Sequence, residues 1–173
     1  PELPLSLGIV DLFEEHGLKV FGARRNAALI EASKAFSKDI MKKYGVPTAF
    51  YEVFTEVEPA VAFIEQHGAP IVVKADGLAA GKGVFIARER TEAMDAIEAL
   101  MVEKRFGEAG SRIVVEDYLP GTEMTLIVLT DGETVLLTAT IKDLLIGSTT
   151  STLTIIRNDG TGTGRSTMGS TTS

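Results

Sequence analysis

An alternating α/β fold is predicted for this chain, and three observations predict it. Short apolar runs rich in β-branched and aromatic residues recur at Ala49 to Phe54, Pro70 to Lys74, Val84 to Ala87 and Arg112 to Glu116. Between them lie amphipathic segments with polar caps in front and glycines behind. A glycine-rich connection, Asp76 to Gly83, joins two of the runs.

Taken in order, Leu5, Ile9, Leu12 and Phe13 recur at helical spacing, Gly17 stops that helix, and Val20 and Phe21 form a short strand. Asn26 is expected to cap Ala27 to Glu31. Ser33 is expected to cap a second helix that carries Phe36, Ile40 and Met41 on one face and ends at Gly45, just before Pro47. After the strand Ala49 to Phe54, Thr55 with Glu58 three residues on predicts a capping box, opening a helix that Gly68 closes. The buried strand Pro70 to Lys74, the glycine loop and the strand Val84 to Ala87 follow. Thr91 then caps a helix with Met94, Ile97, Leu100 and Met101 on one side.

Beyond the strand Arg112 to Glu116, Pro120 and Gly121 turn the chain, and Glu123 to Thr130 pairs with Thr134 to Ile141 across Asp131 and Gly132. Ser, Thr and Gly dominate residues 148–173, where Leu153, Ile155, Ile156 and Met168 are the main apolar residues. Little there offsets the entropy of ordering, so this tail is expected to pack poorly or to depend on a surface outside the sequence. No repeat of fixed period is present.

The 173 residues are 45% hydrophobic, enough for one domain or two small packed units. Seventeen basic against 24 acidic residues give a net charge of -7, which opposes attraction to nucleic acid or an anionic membrane and favours a small-molecule partner. There is no cysteine, hence no disulfide framework and no thiolate metal site. The start lacks the basic region of a signal peptide, and a cytoplasmic setting is expected. His16 and His67 each precede a helix-ending glycine, where an imidazole suits the negative helix terminus, and neither is assigned catalysis. Any metal is therefore expected to be Mg²⁺, held by carboxylates and nucleotide phosphates.

Three stretches could carry chemistry. In PIVVKADGLAAGKGV (residues 70–84) a buried strand ends in Lys74 and enters a loop containing Gly77, Gly81 and Gly83. Glycines let backbone N–H groups approach an anion, and Lys74 and Lys82 add the charge that a polyphosphate requires. The spacing fits neither the Walker nor the Rossmann pattern. A glycine-rich hairpin with solvated lysines is the plain alternative. Against it, Lys74 ends an apolar run, so its ammonium should enter a cleft, where a cation without an anionic partner is costly. In VVEDYLPGTE (residues 114–123), Glu116 and Glu123 flank a linker that can offer backbone groups of Asp117 to Leu119 to an adenine edge and a carboxylate to ribose hydroxyls. Two solvated acids around a turn are the alternative there. In EASKAFSK (residues 31–38), Lys34 sits in the first turn after a capping serine, where the helix dipole disfavours a cation by ~0.3–1 kcal/mol unless an anion is near. An ordinary surface lysine is the alternative.

In this order the stretches resemble the ATP-grasp superfamily and, within it, the phosphoribosylamine–glycine ligase family. The likeness runs from Pro1 to about Lys142 and includes PELPL (residues 1–5) and GIVD (residues 8–11). It implies an ATP-grasp fold, α/β with a small lid subdomain and the start of a larger antiparallel nucleotide-binding sheet. The implied division is residues 1–30 as the end of an N-terminal substrate domain and linker, 31–47 as a helical connector, 48–115 as the lid, 116–146 as part of the larger subdomain and 147–173 as a divergent tail. It implies that Lys34 and Lys74 contact ATP phosphates while the loop from Gly77 to Gly83 closes over them, with Gly81 and Lys82 assisting. It implies further that Glu116, Asp117, Tyr118 and Leu119 read adenine, that Glu123 holds ribose, and that Pro1, Glu2, Pro4 and Leu5 lie near a glycine and 5-phosphoribosylamine pocket. Mg²⁺, or Mn²⁺, would accompany the ATP.

The sequence departs from the family at both ends. By that resemblance most of the N-terminal domain and the C-terminal metal-binding portion are expected to lie outside this sequence, and the lack of an initiator Met fits a cut end and a processed terminus alike. Where the family has Asp-His-Lys, Asp143 is followed here by Leu144 and Leu145, and only Asp159, Gly160, Thr161, Gly162, Met168 and Gly169 keep traces of its next glycine-rich stretch. The chain is accordingly expected to be a fragment without turnover of its own. Two rival readings are another ATP-grasp carboxylate–amine ligase and a non-catalytic nucleotide-binding module.

Overall fold

The structure, a computed structural model, describes residues 2–121, 127–130, 133–138, 153–156 and 165–168. The chain divides into two compact units, Pro1–Leu119 and Pro120–Ser173.

The first unit opens with helices α1 (Glu2–Ser6), α2 (Ile9–Glu15), α3 (Arg25–Ala32) and α4 (Lys34–Tyr44). The single helix expected across Leu5 to Phe13 is broken at Gly8, whose φ of 89° no right-handed helix contains. Val20 and Phe21 are not a strand; two residues without a pairing partner cannot hold a ladder, and Phe21 is 90% exposed. Asn26 falls inside α3, after Arg24 as the flanking residue, and its side chain accepts from the adjacent Ala27 N–H at 2.8 Å. Ser33 caps α4 as expected, its hydroxyl accepting from the Phe36 N–H at 3.1 Å, and Gly45 ends the helix.

A four-stranded antiparallel sheet follows, built from β1 (Tyr51–Phe54), β2 (Ile71–Ala75), β3 (Val84–Ala87) and β4 (Ile113–Asp117) in the order β1-β4-β2-β3. The glycine loop is thus a hairpin connection, and β4 returns to lie between β1 and β2. Because side chains alternate along a strand, Ile71, Val73 and Ala75 of β2 share one face with Ile113 and Val115 of β4. That face is covered by α5 (Val57–His67) and α6 (Arg90–Ile97), the latter continuing as a π-helical turn, Glu98–Val102. Ile64, Ile97 and Leu100 meet the sheet there, each at most 1% exposed. Burial of each such side chain is worth roughly 1.5–3 kcal/mol, so this layer supplies most of the unit's cohesion.

Both helices start differently from expectation. Glu56 precedes α5 without a side-chain cap, so the Thr55 and Glu58 box does not form. At α6 the flanking residue is Glu89, and the carboxylate of Glu92 accepts from the N–H groups of Arg88 at 2.6 Å and Glu89 at 3.3 Å. Glu92 is three residues beyond Glu89 and can reach back, which leaves Thr91 inside the first turn.

In the second unit β5 (Ile127–Thr130) pairs antiparallel with β6 (Val135–Thr138), Ile127 opposite Thr138. This pairing falls within the expected hairpin, of which residues 123–126, 131–132 and 139–141 lie outside the described residues. Among the described residues of the tail, β7 (Leu153–Ile156) pairs antiparallel with β8 (Arg165–Met168), Leu153 opposite Met168. No helix of the described residues is long and apolar enough to cross a membrane.

Candidate functional site

The other face of the sheet carries charge. Val72 pairs with Glu116 and Lys74 with Val114, so Lys74 and Glu116 are diagonal neighbours on one face, and Tyr51 faces Glu116 from β1. Helix α4 brings Lys38 to the same place. Glu116, only 7% exposed, forms ion pairs through Oε1 with the Lys74 ammonium and through Oε2 with that of Lys38. Oε2 receives no directed hydrogen bond, and the charge of Lys38 is what offsets its burial. Lys38 also donates to Thr48 Oγ1 at 2.6 Å and lies 5.7 Å from the centre of the Tyr51 ring. The Tyr51 hydroxyl donates to Asp39 at 2.8 Å; burial first, then that bond, push its pKa up to about 12.

Lys34 is held at the end of β2. Its Nζ donates to the Gly77 carbonyl at 3.2 Å, and its backbone N–H donates to the Asp76 carbonyl at 3.1 Å. Burial pushes the Lys34 pKa down; Asp76 opposes that shift, Lys74 reinforces it and Glu31 opposes it. The anion that a cation at this helix start calls for is thus present in the chain itself, as Asp76. Lys74 likewise has an internal partner in Glu116.

A cavity of about 640 Å³ opens beside these groups, within the range of small-molecule sites. Glu2, Glu31, Lys34, Lys38, Lys74 and the loop from Leu78 to Gly81 are among the residues that line it. Ala80 and Gly81, with φ of 49° and 74°, turn the loop tip through the left-handed region, and glycine holds the second position without strain. At Gly83 a Cβ would stand 2.6 Å from the Ala79 side chain, so only glycine lets the loop fold back on itself before β3. The N–H groups of Gly77 and Lys82 are used inside the chain, donating to Ala109 at 3.2 Å and to Ala79 at 2.9 Å.

The structure therefore gathers Glu2, Lys34, Lys74, Gly81 and Gly83 around one cavity, with Glu116 behind Lys74. Gly77 contributes the carbonyl that receives Lys34. Lys82 is exposed and does not line the cavity; nor do Pro4 and Leu5, which are half-buried nearby in α1. Asp117 alternates to the opposite face, where its carboxylate meets His67 Nε2 at 2.7 Å, and Tyr118 and Leu119 are exposed beyond it. Pro1 and Glu123 lie outside the described residues. Lys38, Asp76 and Arg112 are functional candidates that the sequence reading passed over. Lys38 carried a signal, standing four residues after Lys34 on the same helix face.

Comparison with known proteins gives the family and the fold. Residues 32–164 match the family model "Phosphoribosylglycinamide synthetase, ATP-grasp (A) domain". Phosphoribosylamine–glycine ligases of Pseudomonas syringae pv. tomato and Vibrio cholerae are 53% and 54% identical over 143 residues, covering 83% of this chain and 33% of each relative. The chain thus spans about a third of the length of the curated relatives it matches. The crystal structure of the Thermotoga maritima phosphoribosylamine–glycine ligase superposes with a TM-score of 0.61 at 34% identity, over 68% of this chain and 30% of that one. A D-alanine–D-alanine ligase from Helicobacter pylori, 18% identical with a TM-score of 0.61 over 78% of this chain and 40% of that one, shares the fold. With the ATP-grasp fold and more than two thirds of its length matched by one family model, the chain belongs to the phosphoribosylglycinamide synthetase family, as its ATP-grasp (A) domain.

Proposed function

We propose that this chain holds ATP for a ligase that joins glycine to 5-phosphoribosylamine, a step of purine biosynthesis suited to the cytoplasm. The observation that carries the reading is the convergence of Lys34 and Lys74 on one cavity beside the glycine loop. In such a reaction ATP phosphorylates the glycine carboxylate, and the amine of phosphoribosylamine then attacks the acyl phosphate, releasing phosphate beside ADP. Spreading the charge of the moving phosphoryl group is most of the catalytic task, and fixed ammonium groups in a partly dry cavity perform it. Lys34 and Lys74 would meet the phosphates, with Lys74 sharing its charge between Glu116 and the nucleotide. The loop from Gly77 to Gly83 would cover them, bringing Lys82 inward. Glu116 to Leu119 would read adenine, Glu123 would hold ribose, and Pro1, Glu2, Pro4 and Leu5 would border the pocket for glycine and phosphoribosylamine.

Mg²⁺ or Mn²⁺ would supply further charge neutralisation to a bound triphosphate. Among the described residues no three acidic or imidazole side chains gather to hold such an ion, and the roles given to the lysines do not depend on one. Isothermal titration with Mg·ATP tests the reading. Lys74→Ala and Glu123→Ala should each weaken binding at least about tenfold, equivalent to ~1.4 kcal/mol. Unchanged affinity in both variants contradicts it.

A further inference from the structure

We propose that Asp76 is a positioning residue of this site: with Ser33 and Arg112 it pins the start of α4 to the ends of β2 and β4, and it stands as the fixed counter-charge of Lys34. The proposal rests on reading the cavity as a nucleotide site. Asp76 is only 6% exposed, and its carboxylate has partners from three directions. Ser33 Oγ donates to it at 3.0 and 3.2 Å, the Ala35 N–H at 2.6 Å, and the Arg112 guanidinium through Nε at 2.8 Å and through Nη2. Its backbone closes the same knot. The Asp76 N–H donates to the Arg112 carbonyl at 2.9 Å, and its carbonyl accepts the Lys34 N–H at 3.1 Å.

Lys34 lies between Ser33 and Ala35, both tied to Asp76, and Lys74 lies two residues before Asp76 on β2. The span between Lys34 and Lys74, two of the cations that line the cavity, is therefore set through one residue. Electrostatics add to the geometry, because Lys34 occupies the positive end of α4, where a carboxylate offsets the dipole. The charged groups facing or nearest Lys34 are Asp76 and Lys74 of the β2 segment, Glu31 of α3, Lys38 of α4, and Glu2 of α1 across the cavity. Glu116 of β4 stands behind Lys74. Burial and Lys74 push Lys34 toward its neutral form, and Asp76 is the foremost group opposing them. Loss of its charge should discharge Lys34 sooner as pH rises, removing a cation from the phosphate site.

The test follows lysine side-chain carbon signals by NMR against pH in the nucleotide-free chain, with Lys42 in the last turn of α4 as internal control. In Asp76→Asn, which keeps the shape and removes the charge, the Lys34 midpoint should fall while that of Lys42 stays. Arg112→Gln, which leaves Asp76 less compensated, should move the Lys34 midpoint upward. Loss of packing alone would not give opposite signs. An unmoved Lys34 midpoint in Asp76→Asn, or movement in the same direction in both variants, overturns the proposal. If Asp76→Asn fails to fold, Arg112→Gln decides by its sign alone. In titrations with Mg·ATP, Asp76→Asn should bind severalfold more weakly than wild type at alkaline pH and more nearly alike at neutral pH. Equal affinity at both overturns the positioning claim. Absence of ATP binding by the wild type overturns the nucleotide reading, while the Lys34 midpoints still decide the role of Asp76.

Discussion

The two faces of the β1-β4-β2-β3 sheet use the same strands for opposite purposes. On one, Ile71, Val73, Ile113 and Val115 are wholly buried against α5 and α6. On the other, residues one step along the same strands, Lys74 and Glu116, form an ion cluster with Lys38 beside an open cavity. The apolar face gains free energy with every atom it removes from water. The charged face spends some of it to keep ammonium groups at the wall of a cavity. A single strand register serves both, since period-two alternation separates the packed face from the charged one by one residue.

The comparison breaks most sharply on the apolar side. Ile113→Ala, at a wholly buried position, should lower unfolding stability by ~2–5 kcal/mol in denaturant titrations and leave the ATP affinity of the folded protein unchanged. On the charged side, Glu116→Gln leaves two ammonium groups without their shared counter-ion. Lys74 keeps about a quarter of its surface in water, so the expected loss is smaller, ~1–3 kcal/mol. In thermal unfolding with and without the anion, inorganic triphosphate should raise the unfolding temperature of Ile113→Ala by as much as that of wild type, its anion site being intact. It should raise that of Glu116→Gln by more, since two unpaired ammonium groups then meet the anion. Equal increments in both variants would erase the distinction between the faces.

Much of the apolar face was legible in the sequence, because β-branched runs and helical spacing report burial locally. The strands at Val84 to Ala87 and around Lys74 and Val114, and the buried side of α6, appear where periodicity put them. Element starts were less legible at α5 and α6, where neighbouring polar residues compete to cap and reach decides between them. The lysines and glycines of the site could be picked out from their placement at a strand end, a loop and a helix start. Their internal partners could not. Lys74 pairs with Glu116, and Lys34 comes under the charge of Asp76 with its N–H on the Asp76 carbonyl, only through strand register and helix docking, which link residues about 42 positions apart. The placement of each lysine called for an anion nearby, expected from a ligand, and the chain supplies one of its own at both places.

On the proposed function, the charged face receives nucleotide phosphates. The most direct measurement is titration of Mg·ATP into the chain with its lysine side-chain carbons labelled and resolved by NMR. Lys34 and Lys74 should shift together with one saturation curve, while Lys42 and Lys43, on the last turn of α4, stay in place. Saturable binding that leaves Lys34 and Lys74 unmoved would contradict the account.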